Sequence, residues 1–388
     1  MRWARATAMA AGLLVVGPVA LISFSIPSNA APACPAAGSA PPVASDPPWP
    51  QRRFDLERLN GLADGTGIVV AVVDSGVDAT HPQLAPAVRT GLDLLDAGTG
   101  GRLDCVGHGT AVASLIAARP QSGAPLRGVA PAATILPVRV TERLDGTDTT
   151  NARTVTVAAI AGALRQAVEL GARVINLSLT TEVDDPALRE AVRFARARDV
   201  VLVAAAGNRQ EAGSPRPYPA AYEGVIGVGG IQQDGSRVPQ SQVGDYVDLV
   251  APGADVVAAA PGGGYGRRTG TSFASAFVAG TAALIRQYHP TLNADQVAAR
   301  LLATTDPPAA GTGYGSGVLN PYRAVTDQLR NEPPPKAAPL PPAGRDPAAA
   351  AVAHAESAAR TRAYKLAALA LSAALALLLA GAVIPRLR

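Results

Sequence analysis

The sequence predicts a doubly wound α/β domain, a mostly parallel sheet with helices on both faces, plus one C-terminal transmembrane helix. Short apolar runs recur without polar alternation, which marks strands buried on both faces. Segments of helical period separate them, as the crossover connections between parallel strands require. A separate run, "LAALALSAALALLLAGAVI" from Leu366 to Ile384, carries no charge and is long enough to cross about 30 Å of hydrocarbon.

The chain begins with Arg2 and Arg5, an apolar stretch from Ala8 to Phe24 and the small residues of Ser28-Asn29-Ala30. A basic start, an apolar middle and a small-residue cleavage site make residues 1–30 a secretory signal peptide. Residues 31–60 follow as an N-terminal extension and 61–330 as the folded body. The proline-rich "EPPPKAAPLPPAGRDP" (Glu332 to Pro347) cannot pack and makes 331–363 a semi-rigid linker. Residues 364–385 span the membrane and 386–388 form a cytoplasmic tail. Arg360, Arg362 and Lys365 flank one side of the span and Arg386 and Arg388 the other, so charge alone does not orient it. The signal peptide does, placing the body on the extracytoplasmic side of the cell membrane. Net charge is +4, but no basic cluster with interleaved aromatics occurs in the body, which excludes nucleic acid as a partner.

Within the body the strand and helix patterns alternate: "GIVVAVVDSG" (Gly67 to Gly76), then "TAVASLIAAR" (Thr110 to Arg119), "ATILPVRV" (Ala133 to Val140) and "VTVAAIAGALRQAVELG" (Val155 to Gly171). "ARVINLSL" (Ala172 to Leu179), "DPALREAVRFARARD" (Asp185 to Asp199) and "VVLVAAAGN" (Val200 to Asn208) continue the series. In a sheet wound this way the site lies beyond the carboxyl ends of the strands. Three residues stand at such places. Asp74 ends a strand, His108 lies between glycines just before the helix expected from Thr110, and Ser272 opens a long apolar helix after a glycine-rich loop, Pro261 to Gly270.

A serine hydroxyl is a weak nucleophile until an imidazole takes its proton, and the imidazole needs a carboxylate to hold its tautomer and its charged form. Asp74, His108 and Ser272 supply those parts. A helix N-terminus under Ser272 favours developing negative charge, and the Asn208 side chain is a candidate oxyanion donor. Each residue alone also has an ordinary reading, as a turn residue, an N-cap or a loop residue. Of the remaining histidines, His81 precedes a proline in a turn and is expected to be structural, while His289 at the end of the serine helix and His354 in the juxtamembrane segment have no partner in view, which leaves His108 as the base.

The joint order resembles the subtilisin-like serine peptidases, in which Asp, His and Ser follow one another along the chain. The matching segments include "VVAVVDSGVDATHPQL", "GHGTAVAS", "GVAPAATILPVRV", "VINLSL", "VAAAGN", "YVDLVAPG" and "GTSFASAFVAG". The extension, the linker and the terminal span further resemble the mycosins, membrane-anchored members associated with type VII secretion. That resemblance implies a serine endopeptidase domain at 61–330, exported proteins as substrates and the type VII secretion membrane complex as a partner. It also implies a substrate-binding wall at Ser178 and Leu179. A structural or regulatory role in the secretion complex is the alternative. The chain departs from the family's usual pattern at Ser114, where glycine is common, and at Ala276, where proline is common.

No cofactor is expected. Asp93, Asp96 and Asp104 invite a calcium reading, but their spacing matches no metal loop and they are expected to be solvated. Asp78 is expected in a turn. The loop Thr141 to Asn151 either borders the site or is an ordinary surface loop. In "DCVGHGT" (Asp104 to Thr110), Cys105 has too few Cys or His companions for a metal clip, and a Cys/His nucleophile would leave Ser272 without a role. Export with only two cysteines predicts a Cys34–Cys105 disulfide instead.

Overall fold

The computed structural model of the 388-residue chain describes residue 34, residues 47–143, residues 152–330 and residue 362. Its centre is β1 (Val69–Asp74), where side chains alternate between two apolar layers. Val70 and Val72 enter one core cluster and Ala71 and Val73 the other, as the two-residue period of a strand requires. Because both faces are covered, the strand reads as one unbroken apolar run.

The other strands are β2 (Leu92–Asp93), β3 (Thr134–Arg139), β4 (Val174–Leu177), β5 (Val201–Ala205), β6 (Val225–Ile231) and β7 (Leu249–Pro252). Among the described residues they form a seven-stranded sheet in the order β2-β3-β1-β4-β5-β6-β7. Every pairing in it is parallel. β1 is flanked by β3 in the register Asp74↔Arg139 and by β4 in the register Val73↔Leu177. From β1 the chain runs out to the edge strand β2, comes back to β3, and then crosses to β4 on the other side of β1, so the strand order reverses there. The crevice beyond the carboxyl ends opens at such a reversal.

One face of the sheet is covered by α2 (His108–Ala117) and by α5 (Thr271–Tyr288), whose residues Thr271 to Arg286 are all buried. On the other face lie α3 (Val157–Glu169), capped by Thr156, and α4 (Pro186–Ala197), capped by Asp185 with proline at its first position. The short α1 (Trp49–Phe54) belongs to the N-terminal extension. It docks through Trp49, whose indole donates to the Ala254 carbonyl at 3.0 Å, and through Phe54, edge-on to Phe277 with centroids 5.6 Å apart. Near the end of the body, α6 (Ala294–Ala303) starts with an Asn293/Gln296 capping box, and α7 (Pro321–Thr326) is the last helix of the body.

Two local expectations change. The helix expected from Thr110 begins at His108, because Asp104 supplies its first turn with acceptors. The glycine-rich segment before Ser272 is not all loop: β8 (Val256–Ala260) pairs antiparallel with β9 (Gly264–Arg268) across it, since a tight turn at Gly262 and Gly263, both at positive φ, folds the segment into a hairpin. The signal peptide, most of the linker, the span at 364–385 and the tail lie outside the described residues. No helix among the described residues is long and apolar enough to cross a membrane.

Cys34 and Cys105 are joined by a disulfide, with Cα atoms 4.9 Å apart and a sequence separation of 71. It fastens the extension to the loop that leads into α2. Closing a loop of that length restricts the unfolded chain by about 4 kcal/mol in the entropic account. The double variant Cys34→Ser/Cys105→Ser is therefore expected to lose about 4 kcal/mol in urea unfolding and to show a larger denaturant slope. An unchanged midpoint would mean that the tether adds nothing to stability.

Candidate active site

Asp74 ends β1 with its side chain 2% exposed. Its Oδ1 accepts from the Ser75 amide at 2.6 Å and lies 2.8 Å from Nδ1 of His108, while its buried Oδ2 has no hydrogen bond among the described residues. Because Nδ1–H donates to the carboxylate, the neutral imidazole presents Nε2 as its acceptor. The ring also packs against Phe273, with centroids 5.1 Å apart.

His108 is held there by a residue whose role was not apparent from the sequence. Asp104, expected to be solvated, is 2% exposed. Its Oδ1 accepts from Ser75 Oγ, Val106 N and Gly107 N, and its Oδ2 from the amide and hydroxyl of Thr110. The same Ser75 hydroxyl accepts from the Gly109 amide at 2.9 Å. One carboxylate thus binds the turn after Asp74 to the first turn of α2. Burial, together with the nearby Asp74 charge, pushes the Asp104 carboxyl up, against the hydrogen bonds it accepts. The glycines around His108 have distinct reasons. Gly107 is left-handed at φ 83°, and a Cβ on Gly109 would come within 2.1 Å of the Gly76 carbonyl.

Ser272 is the second residue of α5 and is 3% exposed. No side chain of the preceding residue caps this helix. Asn208, beyond the end of β5, does so instead: its Oδ1 accepts from Thr271 N at 2.9 Å and Thr271 Oγ1 at 3.2 Å. Thr271 Oγ1 accepts in turn from Gly207 N at 3.1 Å. With the amide oxygen spent on the helix, Nδ2 is the end of Asn208 that remains to donate.

Asp74, His108 and Ser272 line one cavity of about 240 Å3. Ser178 and Leu179, just beyond β4, line it too. The Ser178 hydroxyl accepts from Asn176 Nδ2 at 2.7 Å, and the wall is extended at Thr181, whose backbone exchanges two 2.8 Å hydrogen bonds with Tyr218. Thr141, Arg143, Thr154 and Val155 also border the cavity, so the start of the 141–151 segment and the residues just after it belong to the site; residues 144–151 lie outside the described residues.

Asp93 and Asp96 are not solvated loop carboxylates either. Arg139, paired in register with Asp74, is fully buried and binds Asp93 at 3.1 Å, Asp96 at 2.8 Å and Glu142 at 2.5 Å. Arg153 binds Asp96 and Glu142 in turn, bracing the Thr141–Thr154 bridge at the cavity edge. No group of His, Cys, Asp and Glu among the described residues is arranged to hold a metal. Asp78 serves a turn, accepting from Thr80, and also ties down Gly262 N at 2.9 Å. His81 is fully buried, with Nε2 3.2 Å from the Gly264 carbonyl. Ser114 explains its own departure: its hydroxyl accepts from Ala259 N at 2.9 Å and so joins α2 to β8.

Two measurements check this account. Asp104→Ala leaves buried donors on Ser75, Gly107 and Thr110 without an acceptor and is expected to cost about 3 to 5 kcal/mol; a loss within about 0.5 kcal/mol would contradict the clamp. Hydrogen bonds from Arg153, and after them from Arg139, hold the Asp96 carboxyl at about 2, below its ordinary 3.8. A depressed acid stabilises the fold fully above its unfolded value and loses that contribution as pH falls through its folded value. The thermal midpoint should therefore drop between pH 4 and pH 2, and less steeply in Asp96→Asn.

The Subtilase family model matches residues 65–325. Subtilisin NAT of Bacillus subtilis subsp. natto is 38% identical over 263 residues, covering 67% of this chain and 66% of the relative, so the chain spans just under two thirds of that protein's length. Mycosin-3 of Mycobacterium tuberculosis (strain ATCC 25618 / H37Rv) is 33% identical over 406 residues, covering 89% of this chain and 87% of the relative. Among solved structures, the MycP3 protease from the type VII (ESX-3) secretion system superposes with a TM-score of 0.63 at 31% identity, over 75% of this chain and 91% of that one. The serine protease MycP1, described as an essential component of the type VII (ESX-1) secretion system, gives 0.65 at 32% identity, over 74% and 91%. With the fold, the chain order of Asp74, His108 and Ser272 and these matches in agreement, the chain belongs to the subtilase family and is related within it to the mycosins.

Proposed function

We propose that the protein is a membrane-anchored serine endopeptidase that cleaves exported proteins beside a type VII secretion complex, using Asp74, His108 and Ser272 as its triad. The 2.8 Å contact of His108 with Asp74, on the wall of the cavity that Ser272 also lines, carries this reading. Ser272 Oγ attacks the scissile carbonyl carbon as His108 Nε2 takes its proton. Asp74 holds the tautomer and stabilises the imidazolium that forms. Charge on the carbonyl oxygen is met by the Asn208 amide and by backbone N–H groups at the start of α5. His108 then returns the proton to the leaving amine, and water releases the acyl group by the same route reversed. The substrate lies extended along Ser178 and Leu179 through main-chain hydrogen bonds. The membrane placement rests on the apolar run Leu366 to Ile384, and the secretion setting on the mycosin relatives.

A fluorophosphonate probe should label the wild-type protein, and Ser272→Ala should abolish labelling; labelling that persists would identify another nucleophile. Asn208→Ala should lower kcat/KM by about 100- to 1,000-fold. The naming of MycP1 as an essential component of its secretion system favours a second reading, a scaffold whose proteolysis is secondary. A Ser272→Ala strain that secretes normally where a deletion strain does not would establish that reading.

A further inference from the structure

A second cavity, of about 550 Å3, lies at the far end of α5 from Ser272, between α6 and the segment that follows α7. An 18-residue helix separates the two sites, about 27 Å at 1.5 Å per residue. Its wall holds Arg300, only 6% exposed. Nε of Arg300 donates to the Ala324 carbonyl at 2.5 Å, and Nη2 donates to the carbonyls of Val325 and Asp327. It makes no ion pair with a carboxylate among the described residues, and the nearby Asp327 charge acts on it only through space. Nη1 has no hydrogen-bond partner among them, yet it is not sealed from solvent. A guanidinium bound only to neutral carbonyls keeps its full charge for an incoming anion.

The acids lining the same cavity are already spent. Asp327 accepts from Arg323 Nε at 2.9 Å, and Asp295 pairs with Arg196 at 3.2 Å. Arg330, on the cavity wall, has no ion pair among the described residues. The oxygens of Asn293 and Gln296 are used within their capping box, which leaves their NH2 groups as donors. At the rim, Tyr288 and Leu329 are 42% and 39% exposed, large apolar side chains left uncovered by the body. The groove is thus cationic and donor-rich in its depth and apolar at its edge.

From this arrangement we propose that the groove binds an acidic segment of a partner polypeptide, one that alternates carboxylate and apolar side chains, with Arg300 as the carboxylate anchor. The carboxylate reaches Nη1 while neighbouring apolar residues cover Tyr288 and Leu329. The volume lies in the range of ligand sites. The exposed rim at Tyr288 and Leu329 fits a chain that passes through rather than a molecule enclosed. The site is separate from the cleft, so this inference stands whether or not the chain is a peptidase.

The test uses the full-length protein in detergent, carrying Ser272→Ala so that no probe is cut. A labelled peptide of alternating Glu and Leu is titrated by fluorescence anisotropy against its Gln–Leu counterpart. The Glu–Leu peptide should bind at least about 10-fold tighter, and Arg300→Gln should remove most of that advantage. Arg330→Glu and Tyr288→Ser, both at accessible positions, should each weaken binding by about 5-fold, and they carry the test if Arg300→Gln does not fold. Equal affinity for the two peptides, indifference to both accessible variants, or octanoate binding as tightly as the peptide would each overturn the proposal, the last by reassigning the groove to small carboxylates.

Discussion

The site depends on one buried carboxylate, Asp104, whose two oxygens accept hydrogen bonds from both sides of the Asp74–His108 contact. Through Ser75 it fixes the turn after β1; through Gly107 and Thr110 it fixes the start of α2. The imidazole and Asp74 belong to separate elements, and their 2.8 Å spacing requires that the two backbones be registered to a fraction of an ångström. A carboxylate can do this because it accepts several short bonds at once, and burial strengthens each of them. The cost is the desolvation that pushes the Asp104 carboxyl up. That cost is offset only while every donor stays in place, so the clamp is rigid or absent, with little in between.

A second charged group lies next to Asp74 in the sheet and does not disturb it. Arg139 occupies the paired position on β3 and is fully buried, so its guanidinium would compete for the Asp74 carboxylate if it lacked partners. Asp93, Asp96 and Glu142 engage it instead. A buried cation left unpaired is strongly unfavourable, and a paired one is close to neutral in net stability. The value of the network is therefore placement. It keeps the positive charge away from the Asp74–His108 pair and braces the strand bridge at the cavity edge.

The sheet and its covering helices were legible in the sequence because burial on both faces imposes unbroken apolar runs such as Val69 to Val73. The convergence of the candidate site was legible as well, since Asp74, His108 and Ser272 stand at strand ends and helix starts where a doubly wound sheet collects its site, and all three line one cavity. Asp104 and Arg139 were not. Arg139 reaches back to Asp93 and Asp104 reaches back to Ser75, contacts that no local period records, while the short-range bonds of Asp104 to Gly107 and Thr110 fall in a glycine-containing stretch that reads as loop. The start of α2 lies two residues earlier than expected because helix propensity around glycine argues against His108 as a first residue, and the acceptors that overrule it come from Asp104, four residues before it. The β9 strand was hidden by its glycines, which usually signal a loop and here make a tight hairpin.

Helix α5 links these features to the far groove. Its residues from Thr271 to Arg286 are all buried, and its start is clamped by Asn208. Near its other end Arg286 is held by Asp199 at 2.9 Å, and Asp199 also accepts from the first amide of α6. A rod packed from Thr271 to Arg286 moves as part of the core, because close-packed interiors do not yield to small local forces. An occupant of the proposed groove would therefore act on location rather than on the geometry around Ser272. It would set where the cleft stands relative to that occupant, and so which polypeptides could come within reach of Ser272.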